Sequence, residues 1–298
     1  MKLLRWVVPV GLAALFWAVL PVSASEGAPK GDVHRFKIGA LDAFALRDGS
    51  ITMPNDGTVV GVGEPPAKVA ALLQTAGLPT DKVEFSLQPL LVRAGKRVVL
   101  FDTGAGKADW AVAGQLPASL RAAGINPEDV TDIFISHGHD DHLGGLLDAD
   151  GKLAFANATI RLAAAEWAWI RQRPANAALV AAITPKVATF RPGEKIAPEI
   201  TTVDLGGHTP GHVGAEIVSQ GERLFYIGDA AHHSIISVQR PDWTIAFDVD
   251  AAAGKTQRRA LLQKAAENGV RIYAVHFPFP GLGHVRPQGE SFVWIAER

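Results

Sequence analysis

The sequence contains no cysteine. That excludes disulfide staples, so an exported form of this chain must rely on its core or on bound metal. It also removes cysteine from the candidate nucleophiles. No run of basic residues occurs either: 29 Lys and Arg are scattered against 30 Asp and Glu, a formal net charge of −1. Nothing in that balance points to nucleic acid or an anionic membrane surface as a partner. No linker rich in Pro, Gly or Ser divides the chain, and no repeat of solenoid period or low-complexity tract is present. What is there is an ordinary globular composition, 48% hydrophobic and 20% charged over 298 residues. That length is high for one domain but within range for a single α/β or β-rich domain.

The first segment, "MKLLRWVVPVGLAALFWAVLPVSA", has Lys2 and Arg5, an apolar stretch from Trp6 to Leu20, then Pro21 and the small residues Ser23 and Ala24. This is the pattern of a secretory signal, and the apolar stretch is short for a membrane span. The expected organisation is a signal peptide over 1–24, cleaved after Ala24, a flexible segment over 25–34 and one domain over 35–298. Cleavage leaves 27 basic against 30 acidic residues, a charge of −3. The mature protein is expected to be secreted or periplasmic, with no membrane attachment.

Strand-like runs bounded by turn residues cover 35–49, 86–95, 97–103, 132–137, 158–163, 200–207, 213–220, 223–229 and 271–276. A hairpin is expected around Ala94-Gly95-Lys96. Helical spacing covers 65–77, 116–124, 165–173 and 254–269, with Gly124 and Gly269 as C-caps. Strands alternating with helices, with hairpins among them, predict sheets flanked by helices.

Polar clusters directly follow several of these strands: "FDTGAG" (101–106), "SHGHDDHLGG" (136–145), "GGHTPGH" (206–212), "GDAAHH" (228–233) and "VHFPFPGLGH" (275–284). Loops at the ends of buried strands are where rigid scaffolds hold sites. His137 and His139 can meet one ion if the backbone bends, which Gly138 permits. Asp141 and His142 can serve a second ion close by. A dication repays such crowding because it binds neutral imidazole and carboxylate directly. Gly144 and Gly145 would let a following helix lie close.

These motifs, in this order and spacing, resemble the metallo-β-lactamase superfamily over most of the mature chain. The resemblance implies an αββα sandwich of two mixed sheets flanked by helices, an α/β (α+β) fold with the metal site at one edge between the sheets. It implies that His137, His139 and His208 hold one divalent ion, that Asp141, His142 and His276 hold a second, and that Asp229 bridges both. His212 shares the "HTPGH" motif, and the resemblance picks His208 over it. The antibiotic-hydrolysing members lack the bridging aspartate, so Asp229 argues against a β-lactamase. "AAGINPEDVTDIFISHGHDDHLGGL", "PDWTIAFDVD" and "HFPFPGLGH" are similar to the methyl parathion hydrolase-like branch. Related acyl-homoserine lactonases commonly carry a tyrosine three residues after the bridging aspartate, where this chain has His232.

The implied activity is an exported dinuclear hydrolase of esters, lactones or phosphotriesters, in which two ions activate a shared hydroxide and Asp229 and Asp141 are catalytic. The alternatives are an acyl-homoserine lactonase-like quorum-quenching enzyme and a non-catalytic metal-binding member of the fold. A di-iron oxygen or nitric-oxide reductase is a further reading, weakened because no flavin-domain segment is found. Zinc is the expected metal, with manganese, iron and cobalt also compatible with His/Asp ligands. The partner is a small-molecule substrate, and the branch resemblance suggests a homodimer. Around the ligands, Asp102 is expected to hydrogen-bond a ligand histidine. His212, His232, Phe277, Phe279 and His284 are expected in the surrounding shell or the substrate pocket. Trp167, Trp169, Trp243 and Phe247 are further wall candidates, with core packing as the plainer role. Asp140 is expected to face solvent, Ser136 to be a strand-end residue, and His233 and His34 to have no special role.

Overall fold

The computed structural model describes residues 32–297, so the expected signal segment lies outside the described residues. Two seven-stranded mixed sheets face each other. Numbered in chain order, the first runs β1 (Val33–Ile38), β2 (Leu41–Leu46), β6 (Leu90–Ala94), β7 (Arg97–Phe101), β8 (Asp132–Phe134), β9 (Thr159–Ala163) and β10 (Val187–Phe190). The second runs β11 (Lys195–Ala197), β12 (Ile200–Asp204), β13 (Val213–Ser219), β14 (Glu222–Tyr226), β16 (Arg271–Tyr273), β17 (Leu282–Gln288) and β18 (Ser291–Ala296). Two short ribbons pair β3 (Gly49–Pro54) with β5 (Lys82–Leu87) and β4 (Val60–Val62) with β15 (Thr244–Ile245).

Apolar residues alternating along the strands fill the space between the sheets. Ala43, Val92, Phe101 and Phe134 from the first meet Val213, Ala215, Leu224, Tyr226 and Tyr273 from the second. The outer face of the first sheet is covered by α2 (Leu116–Ala123), α4 (Ala164–Gln172) and α5 (Ala177–Ile183), through Leu120, Trp167, Ile170 and Ile183. The outer face of the second is covered by α7 (Ala251–Asn268), through Leu261, Leu262 and Ala265. The result is the expected αββα sandwich. The one-turn helices α3 (Asp140–Leu143) and α6 (Ile236–Gln239) lie in loops, and α1 (Pro66–Thr75) packs beside the short ribbons.

The expected hairpin joins β6 to β7 with Gly95 at φ 61°. Gly124 and Gly269 close α2 and α7 in the left-handed conformation, and the Asp250 carboxylate opens α7 by accepting from the N–H of Ala252 and Ala253. Some boundaries differ from expectation. The run over 35–49 is a hairpin with its turn at Gly39, not one strand, and β1 begins at Val33, inside the segment expected to be flexible. "GLGH" is not a loop, because Leu282–Gln288 forms β17.

β7 and β8 run parallel, and β14 runs parallel to β16 and antiparallel to β13, which is antiparallel to β12. The C-terminal ends of β12, β14 and β16 therefore share one edge of their sheet. The polar loops identified in the sequence follow β7, β8, β12, β14 and β16.

Candidate metal centre

Two groups of ligand atoms meet at that edge. His137, His139, His208 and Asp229 form one, and Asp141, His142, Asp229 and His276 the other, with the ligand atoms of each group within 4.8 Å of one another. All seven residues singled out as ligands are thus together, and Asp229 belongs to both groups. Its Oδ2 lies 3.4 Å from His208 Nε2 and 3.6 Å from His137 Nε2, its Oδ1 lies 3.2 Å from His142 Nε2, and His276 Nε2 stands between the two oxygens, 3.0 Å from Oδ1 and 3.1 Å from Oδ2. Asp141 Oδ2 is 3.5 Å from His276 Nε2 and 3.6 Å from His142 Nε2.

The donor set fits divalent ions. His137 Nε2, His139 Nδ1 and His208 Nε2 form a triangle with sides of 2.9, 3.0 and 3.2 Å. Three nitrogens each about 2.0–2.1 Å from one tetrahedral ion would stand roughly 3.3 Å apart. His142 Nε2 and Asp229 Oδ1 are buried without a hydrogen-bond partner among the described residues, the orphaned state that a cation relieves.

Surrounding acceptors fix the tautomers. His208 Nδ1–H donates to Asp248 Oδ1 (2.9 Å), His142 Nδ1–H to Asp102 Oδ2 (2.6 Å) and His276 Nδ1–H to the Ser86 carbonyl (2.9 Å). In the neutral ring each of these leaves a bare Nε2 turned inward. Asp102 therefore has the expected role and more. It also accepts from Ser136 N, Ser136 Oγ and Tyr226 Oη, at a residue with φ 58°. Ser136 is more than a strand end: its hydroxyl, spent on Asp102, accepts from His137 Nδ1 at 3.1 Å. His212 stands outside both ligand groups. Its Nδ1–H donates to the Leu205 carbonyl and its Nε2 accepts the Asp229 N–H, so it props the bridging residue.

Burial and charge pull the imidazoles apart. Burial, with its imidazole neighbours, holds His137 well below the ordinary range and brings His139 down to about 2. Burial also acts against charge on His142, His208 and His276, but nearby carboxylates outweigh it and raise all three. Burial opposes ionisation of Asp229, yet the surrounding histidines hold it well below the carboxylate range.

Three residues not singled out in the sequence complete the frame. Asp248 Oδ2 accepts from Arg258 Nη2 at 2.8 Å, and that buried guanidinium also donates to the carbonyls of Ala230, Pro241 and Trp243. Glu166 accepts from Gly138 N, Gly211 N and Thr209 Oγ1, tying the two histidine loops together. Gly138 has no positive φ. It is small because Ile170 packs on it, and a Cβ there would stand 2.4 Å from Ile170 Cγ1. Gly144 and Gly145 do not precede a helix. They let the α3 turn press on the backbone of Ala105 and Thr103.

The centre floors a pocket of about 250 Å³ lined by Ile51, Met53, Phe85, Trp110, His232 and Phe247. Asp140 is exposed at its margin. His232 stands 3.2 Å from Asp229 Oδ2, and burial lowers it to about 4. Other expected wall residues lie elsewhere. Phe277 is core, edge-on to Trp294, because β17 and β18 fold over it. Phe279 faces a separate cavity, and His284 sits on β17 paired with Glu297 at 3.3 Å. Trp167 is core, Trp243 packs beside the short ribbons, and Trp169 stands edge-on to His139. His233 is not idle: its Nδ1 accepts from the N–H of Ile235 and Ile236.

No match is found among curated proteins. Among solved structures, the chain is 29% identical to AidC, described as a dizinc quorum-quenching lactonase in complex with a product, N-hexanoyl-L-homoserine. That match covers 90% of this chain and 98% of that one, with a TM-score of 0.86. The hydrolase AbOPH, described as in the beta lactamase superfamily, is 27% identical over 91% of this chain and 99% of that one, with a TM-score of 0.81. A probable metal-dependent hydrolase from Staphylococcus aureus shares the fold at 19% identity, covering 88% of this chain and 99% of that one, with a TM-score of 0.75. The family model of the metallo-beta-lactamase superfamily matches residues 89–276, a span that takes in every residue of the two ligand groups. The chain belongs to that superfamily, among its metal-dependent hydrolases.

Proposed function

We propose that this chain is an exported dinuclear hydrolase of neutral carboxylic esters, lactones above all. The observation that carries the reading is the shared carboxylate: Asp229 reaches both ligand groups, its Oδ2 3.4 Å from His208 Nε2 and its Oδ1 3.2 Å from His142 Nε2, at the floor of a mainly apolar pocket. His137, His139 and His208 would hold one ion, Asp141, His142 and His276 the other, with zinc the expected metal. Two such ions, when bound, lower the pKa of a shared water and polarise the ester carbonyl.

The chain's own side chains do the rest. Asp229, held ionised by its histidines, orients the attacking water. Ile51, Met53, Phe85, Trp110 and Phe247 receive the apolar part of the substrate and exclude bulk water. His232 is neutral near pH 7, so its N–H can meet the departing oxygen. The likeness to AidC supports a lactone. Export rests on the signal pattern of residues 1–24.

The test is metal content and hydrolysis measured together on the mature protein, with a simple lactone, a p-nitrophenyl ester and a phosphotriester. Two ions per chain and chelator-sensitive turnover with the lactone preferred are expected. A metal-loaded protein inert toward all three substrates would overturn the reading.

A further inference from the structure

Strand β5 separates two cavities. Phe85 faces the metal pocket, while Lys82, Glu84 and Ser86 face the opposite way, into a cavity of about 380 Å³. Arg47, Leu73, Leu78, Pro79, His233 and Phe279 are among its other walls, and it shares no lining residue with the metal pocket. Phe85 stands between them in the sense that its ring makes steeply inclined contacts with both His233, which lines the second cavity, and His276, which lines the metal pocket.

This cavity has polar groups without an internal use. His233 is 6% exposed, and its Nδ1 accepts two backbone N–H groups, so the proton sits on Nε2. That Nε2–H has no protein acceptor among the described residues. Arg47 lies over the Phe279 ring at 4.5 Å with its Nε on Asp32, and both Nη groups lack a hydrogen-bond partner among the described residues. Arg47 pairs with Asp32 through Nε alone, at 3.1 Å, Lys82 forms no ion pair among the described residues, and Glu84 is the one acidic side chain in the walls. Ser86 spends its hydroxyl on Gln88 Oε1, and the remaining walls, Leu73, Leu78, Pro79, Pro278 and Phe279, are apolar. Donors and cations on one part of a cavity and hydrocarbon on the rest match an amphipathic anion.

We infer that this cavity is a second ligand site, distinct from the metal centre, for a small carboxylate with an apolar body. The carboxylate meets Arg47, Lys82 and the His233 N–H, and the body lies on Leu73, Leu78 and Phe279. The site backs directly onto the metal centre, because the Ser86 carbonyl in its wall accepts from His276 Nδ1.

The test is calorimetric titration of the metal-loaded protein with octanoate, on wild type and three variants whose folding is checked by thermal melts. Arg47→Met removes the guanidinium, Leu78→Trp fills the cavity from its rim, and Met53→Trp fills only the metal pocket. Wild type is expected to bind octanoate at about 1 mM or tighter. Arg47→Met and Leu78→Trp should weaken binding about ten-fold or more, with Met53→Trp unchanged. Binding that survives in the first two and vanishes in Met53→Trp would place the ligand at the metal centre and overturn the inference. So would the absence of binding in folded wild type. Neither outcome bears on hydrolysis, so this site and the proposed reaction stand or fall separately.

Discussion

Replacing Asp248 with asparagine should weaken one metal position and leave the other nearly intact. The carboxylate accepts on both sides, from His208 Nδ1–H at 2.9 Å and from Arg258 Nη2 at 2.8 Å, and its side chain is fully buried. An amide of the same shape cannot accept on both sides. If its oxygen faces His208, its NH₂ meets the Arg258 guanidinium, donor against donor. If it flips, its NH₂ faces His208 Nδ1, which must then give up its proton. The proton moves to Nε2, the atom that faces His137 and His139, and His208 ceases to be a ligand. Loss of such an outer partner typically costs ten- to hundred-fold in metal affinity, about 1.4–2.7 kcal/mol. The assay is competition with a chromophoric chelator at fixed pH, reading two dissociation constants, with melts of the metal-free protein to follow folding separately. The constant assigned to His137, His139 and His208 should rise by that factor. If Asp248→Asn binds both ions as wild type does, the tautomer argument is refuted.

Other substitutions probe separate parts of the frame. Asp229→Ala should lower metal content at both positions and reduce hydrolysis at least about 100-fold, read by elemental analysis alongside turnover. Glu166→Ala leaves Gly138 N, Gly211 N and Thr209 Oγ1 without their acceptor, and should destabilise by about 2–4 kcal/mol in urea titration. Burial lowers His233 from its ordinary 6.5 to about 4, so the folded state resists the proton that the unfolded state takes up. Its contribution is therefore complete above pH 6.5 and is lost as pH falls toward 4, at most about 3 kcal/mol. His233→Asn keeps an acceptor for Ile235 and Ile236 but does not titrate, so it should flatten the acid limb of a stability–pH curve. Trp110→Ala, at the exposed rim of the metal pocket, should raise KM for long-tailed substrates several-fold with little change in kcat.

The candidate ligands were legible because such a site concentrates rare residue types at strand ends, where order and spacing survive in one dimension. Asp102 was legible for the same reason. Asp248, Arg258 and Glu166 were not, because each acts across a tertiary contact: Arg258 reaches ten residues back from α7, and Glu166 reaches two loops from α4. A lone buried arginine in a helix reads as a surface charge until the carbonyls around it are known. The β3–β5 ribbon escaped notice because its strands lie 27 residues apart and only the pairing of Gly49–Pro54 with Lys82–Leu87 defines it. Phe277 and Phe279 misled by adjacency to His276, since successive positions after a strand end turn to different sides: Phe277 into the core and Phe279 into the second cavity.

The seven candidate ligand residues are divided between the two sheets. His137, His139, Asp141 and His142 follow β8 of the first, while His208, Asp229 and His276 follow strands of the second. Each ion would thus draw on both halves of the sandwich, and the separation of the halves is set by what lies between them: Phe101, Phe134, Tyr226 and their neighbours. Tyr226 belongs to the second sheet yet donates to Asp102 of the first, a crossbeam just beneath the site. The interior is therefore a caliper. A methylene added or removed there, well out of reach of any substrate, would change the gap across which the two ligand groups are held, so the metal centre reports on how well the core is packed.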